Sequence, residues 1–102
     1  MLTLAPAATF VATVRVHVPG GDDVPVNFIF AHKGRAALKD FVERAQSSAD
    51  LDAVAEIVAG WDGVEADYSR DALAALLDAY PSAAVSILEG YLAEIGRAAA
   101  KN

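Results

Sequence analysis

Apolar and polar positions alternate from residue 9 to residue 18. Phe10, Ala12, Val14, Val16 and Val18 fall on one face, and Thr13, Arg15 and His17 on the other. A period of two marks a strand with one buried face. Pro19-Gly20-Gly21-Asp22-Asp23 follows as a concentrated turn signal. A second alternating run extends from Val24 to about His32, with Val24, Val26, Phe28 and Phe30 on one face. Setting Val18 opposite Val24 places Val16 opposite Val26, Val14 opposite Phe28, Ala12 opposite Phe30 and His32 near Phe10. Every even-numbered apolar residue of the hairpin, residues 9–32, then lies on one side, whereas a slip by one residue would scatter the set. Pro25 lacks an N–H but stands near a strand start, where that is tolerated. The second hairpin face carries Val11, Ile29 and Ala31 among polar residues.

Beyond Gly34 the period becomes helical. Residues 34–48 place Ala37, Leu38, Phe41, Val42 and Ala45 on one stripe and Arg35, Lys39, Asp40, Glu43 and Arg44 on the other. Asp40 and Arg44 are spaced for an i,i+4 ion pair. Residues 50–59 predict a second helix, with Asp50 as cap, Leu51, Val54, Ala55 and Val58 as its stripe, and Gly60 as its stop. Trp61-Asp62-Gly63 reads as a turn. Ser69 caps a third helix, residues 69–80, with Asp71 in its first turn and Leu73, Leu76, Leu77 and Tyr80 facing inward. Pro81 ends it and begins a fourth, residues 82–100, with Val85, Leu88, Leu92, Ile95 and Ala99 as its core row. A lone hairpin is marginal, so the helices must cover it. The expected architecture is an α+β domain: an N-terminal β-hairpin followed by a four-helix, mostly helical body.

Composition narrows the function. The 102 residues make one domain, and hydrophobic residues at 55% exclude a disordered acidic tail. Twenty-three alanines favour helix. Fourteen acidic against eight basic residues, a net charge of −6, argue against nucleic acid or an anionic membrane as the main partner. No window reaches the ~20 apolar residues of a membrane span. The first ten residues carry no Lys or Arg, unlike a secretory signal, which makes a cytoplasmic protein the expectation.

Catalytic patterns are not evident. The chain has no cysteine and no Gly-x-Ser-x-Gly elbow for a nucleophile. His17 lies on the polar strand face and His32 at a strand end, neither with a second metal ligand at a usual spacing. Asp22-Asp23, Asp50 with Asp52, and Glu65 with Asp67 are explained by turns and helix starts, and Val64 breaks a calcium-loop series from Asp62. Gly20-Gly21 lacks the lysine and helix of a phosphate loop, and Lys33 with Arg35 are too few for a nucleic-acid surface. The reading is no catalytic, cofactor-binding or metal residues. Association is better supported. Ile87, Tyr91 and Ala98 widen the apolar face of the fourth helix, and Trp61 stands in a turn. These four are the candidate protein-interaction residues, for a partner protein or a homo-oligomer, although aromatics in small domains are more often core.

The order of segments resembles one family. Leu4-Ala5-Pro6 before Thr9-Phe10, Val18-Pro19-Gly20-Gly21 into Val24-Pro25-Val26, and Phe30-Ala31-His32-Lys33 are followed by Glu56-Ile57-Val58-Ala59-Gly60-Trp61-Asp62. Ser69 then opens a leucine-rich helix, and Tyr80-Pro81 precedes an alanine-rich one. Together these resemble the tail assembly chaperones of long-tailed bacteriophages. The resemblance implies a non-enzymatic protein in the cytoplasm of an infected or lysogenic host, absent from the mature virion. It implies binding to the tape measure protein, which is kept soluble while tail tube subunits assemble around it. It also implies a programmed frameshift near Ala100-Lys101-Asn102, giving a longer form that recruits tube subunits. The competing readings are a structural tail or head–tail joining subunit, a small protein-interaction domain, and a small enzyme or metal protein. The helical body argues against the first.

Overall fold

The alternating runs form β1 (Thr9–Val16) and β2 (Val24–Ala31), in a computed structural model that describes residues 1–96. Then come α1 (Arg35–Ala45), α2 (Asp50–Ile57), β3 (Val58–Asp62), α3 (Arg70–Ala79) and α4 (Ala83–Ile95). The sheet is antiparallel in the order β1-β2-β3. The architecture is α+β with an N-terminal hairpin, but its body is not the mostly helical one expected, because a third strand completes the sheet.

The parity expected for the hairpin holds. Val14, Val16, Val26, Phe28 and Phe30 are buried, while Val11, Thr13, Arg15, Asn27 and Ile29 face outward. The register differs by two residues: Val16 pairs with Val24, Val14 with Val26, Ala12 with Phe28 and Phe10 with Phe30. A two-residue shift preserves parity, so the turn decides. The Gly21 N–H donates to Val18 O (2.9 Å), and Gly20 has φ 79°, which closes a loop over residues 17–23. His32 does not face Phe10; its backbone N–H reaches Ala8 O at 2.8 Å. On the outer face, Thr13 Oγ1 donates to Asn27 Oδ1 at 2.6 Å, across the observed pair.

β3 occupies the stretch expected to be a helix end and a turn. Phe28 pairs with Trp61, and Phe30 with Val58, with a register shift between Ile29 and Phe30. The buried middle strand thereby finds partners for its backbone on both sides, as buried peptide groups require. Gly60 permits the approach, since a Cβ there would stand 3.1 Å from Ile29 Cδ1. α2 therefore stops at Ile57, and its N-cap is Ala49, not Asp50, which opens the first turn.

The other helix starts follow the sequence more closely. Ser69 caps α3, its hydroxyl accepting from the Ala72 N–H at 3.0 Å. α3 ends before Tyr80-Pro81, and α4 turns away from it by 112°. α4 lies on β1 with a face rotated from the expected one: Leu88 and Ile95 of the expected row pack against the core, but its centre is elsewhere. Ala83, Ala84, Ile87 and Tyr91 are buried, whereas Val85 is 56% and Leu92 38% exposed. The reason is closeness. A Cβ on Gly90 would stand 2.8 Å from Val14 Cγ2, so the face laid on the sheet must be small-residued at that point. Ala98, Ala99 and the expected helix end at residue 100 lie outside the described residues. Among the described residues no single helix is long and apolar enough to cross a membrane.

Candidate functional site

A concave surface lies between the hairpin, the end of β3 and α3. Val16 of β1, Val18 of the turn, and Val24 and Val26 of β2 line one side. Residues 63–66 form the end, and Ala72, Ala75, Leu76 and Ala79 of α3, with Tyr80, form the opposite wall. The groove encloses about 490 Å³, a size usual for binding clefts.

Trp61 forms part of the floor and is half-buried. Its ring stands edge-on to Tyr68 at 5.1 Å and to Phe28 at 6.4 Å. Its Nε1–H donates to Ala66 O at 2.8 Å, folding residues 63–66 over the indole. Gly63 makes that bend with φ 104°, and a Cβ there would stand 3.3 Å from Pro25 O. Tyr68 donates to Val58 O at 3.0 Å, and burial pushes its phenol pKa up. α3 carries two apolar stripes. Leu73 is fully buried, and Ala72, Ala75, Leu76 and Ala79 open into the groove at i, i+3, i+4 and i+7.

A polar cluster ties α1 to α2. Arg44 donates two parallel hydrogen bonds to Glu56 (2.8 and 2.9 Å) and one to Asp40 (2.8 Å), the i,i+4 pair the sequence predicts. Lys33 Nζ reaches Glu56 Oε2 at 2.8 Å and lies 5.6 Å from the Phe41 ring centroid. The hydrogen bonds from Arg44, then Lys33, hold the Glu56 carboxyl down at about 2. Each charged partner is satisfied within the cluster, which marks it as a clasp between helices.

The candidate interaction residues separate. Trp61 lies in the groove. Ile87 and Tyr91 do not form a surface stripe: both are 0% exposed beneath the sheet. Tyr91 packs on Phe10, Phe30 and Phe41, and its hydroxyl donates to Ala31 O at 2.9 Å. Burial pushes that phenol up to about 12. Ala98 lies outside the described residues. His17 Nδ1 meets Asp23 Oδ1 at 3.0 Å in solvent, while His32 borders a separate shallow depression with Phe10 and Ile95. Among the described residues no three His, Asp or Glu side chains gather as metal ligands. Sequence reasoning missed the groove, yet α3 carried a signal in its second stripe.

The family model described as phage tail assembly chaperone matches residues 1–102, the whole chain. No curated protein and no solved structure matches it.

Proposed function

Since the chain belongs to the phage tail assembly chaperone family over its whole length, we propose that it works by non-covalent binding in the host cytoplasm. It holds the tape measure protein soluble while tail tube subunits assemble around that protein, and it is left out of the finished virion. The family match carries this reading. The groove beside Trp61 supports it by supplying an apolar surface, and the net charge of −6 keeps a protein with such a surface in solution. Helix-in-groove capture is a mode such a surface suits. A longer frameshifted product, if the gene makes one, would add the link to tube subunits; the nucleotide sequence around codons 100–102 decides that point.

Co-expression with the tape measure protein tests the main role. The client is expected in the soluble fraction with this chain and in the pellet without it. Equal solubility in both would overturn the reading, as would finding the chain at stoichiometric amounts in purified virions.

A further inference from the structure

We infer that the groove is shaped and charged for an amphipathic α-helix whose apolar stripe is flanked by lysine or arginine. This rests on the client-binding reading above and adds the chemistry of the segment bound. The open stripe of α3, Ala72, Ala75, Leu76 and Ala79, has the spacing against which a second helix packs, and its alanines let a partner approach closely. Ala75 and Ala79 are exposed, and Val16, Val18, Val24 and Val26 of the hairpin line the same groove.

Charge decides the flanks. Glu65 lines the groove, Asp62 ends β3 beside it, Asp67 follows on the next loop, and Asp22 stands in the hairpin turn. Asp71 and Asp78 precede Ala72 and Ala79 and run along the outer flank of α3. All six are exposed, and none has an ion-pair partner among the described residues. Among the described residues no cation lines the groove. Lys33 and Arg44 are held by Glu56, and Arg70 by Asp52 at 2.6 Å. An arriving helix with anionic flanks is therefore repelled, and one with cationic flanks is drawn in and oriented.

Two synthetic peptides of about 18 residues test this, with the same leucine stripe and either lysine or glutamate on its flanks. Trp61, the only tryptophan, reports occupancy by its fluorescence. The lysine peptide is expected to bind at least about tenfold tighter at low salt, with the advantage shrinking as salt rises. Glu65→Gln with Asp78→Asn should narrow the gap, and Ala75→Gln, which fills the groove without changing charge, should abolish binding. Equal affinities, a preference for the glutamate peptide, or unchanged binding to the Ala75→Gln variant would overturn the inference. Co-expression of the wild-type chain with the tape measure protein judges the chaperone reading separately, so either can fail while the other stands.

Discussion

Gly90→Ala is expected to destabilise the domain, although the same change usually strengthens a helix. In an exposed helix interior, alanine gains about 1 kcal/mol over glycine. Here the added Cβ would stand 2.8 Å from Val14 Cγ2, with Val14 Cβ and Cγ1 at 3.8 and 3.9 Å. Val14 is buried on β1 and stiff about χ1, so its methyl cannot swing clear. Overpacking of this kind costs roughly 1–3 kcal/mol. The net is a loss of about 1 kcal/mol, which lowers Tm by roughly 4–8 °C in a domain of this size. Removing the obstructing methyls should relieve the clash. Val14→Ala alone costs stability through its cavity, but the double variant should lose less than the sum of the single losses. Coupling between touching residues is typically about 0.5–3 kcal/mol. Thermal and urea melts followed by circular dichroism measure all four proteins. A raised Tm for Gly90→Ala, or strict additivity in the cycle, would show that α4 does not lie this close to β1.

The orientation of α4 makes a second prediction: Ile87→Ala should cost about 2–5 kcal/mol, while Val85→Ala and Leu92→Ala each stay within about 1 kcal/mol, as urea midpoints will show. Glu56 has a folded-state pKa of about 2, below its ordinary value of 4.5. Its contribution is thus fully present above pH 4.5 and lost as pH falls toward 2, so the Tm gap between wild type and Glu56→Gln should close over that window. A gap that persists at pH 2 would refute the clasp between α1 and α2. Ser69→Ala should cost about 1 kcal/mol by stripping the acceptor from the Ala72 N–H, and Ser69→Asp should keep most of the stability.

The hairpin's inner face was legible because parity is a property of the sequence alone. Its register was not, because Val14 opposite Val26 and Val14 opposite Phe28 both keep the same side chains inside. Only the conformation of residues 17–23 separates them. β3 was hidden because Val58-Ala59-Gly60-Trp61-Asp62 is short, contains glycine, and follows a helix whose stripe runs smoothly into Val58. Its strand character comes from the vacant edge of β2, a tertiary demand. On α4, Val85-Leu88-Leu92 and Ala84-Ile87-Tyr91 both read as apolar stripes. The choice fell to the one with a glycine for close approach and a hydroxyl that reaches Ala31 O. The same ambiguity concealed the groove: Leu76 and Tyr80 pack against the core, as their spacing predicts, and also line an open surface.

The hydrogen bond from Tyr91 to Ala31 spans 60 positions of the chain. That separation is also an interval of time during synthesis. At roughly 5–20 residues per second, the ribosome needs about 3–12 s to advance from one partner to the other. Throughout that interval Phe28 and Phe30 have been made, but the tyrosine that packs on Phe30 and the isoleucine at position 87 have not. The nascent chain thus carries an incompletely covered aromatic sheet face until α4 joins α2 on it. A protein of this family spends its first seconds in the condition from which it is proposed to shield its client.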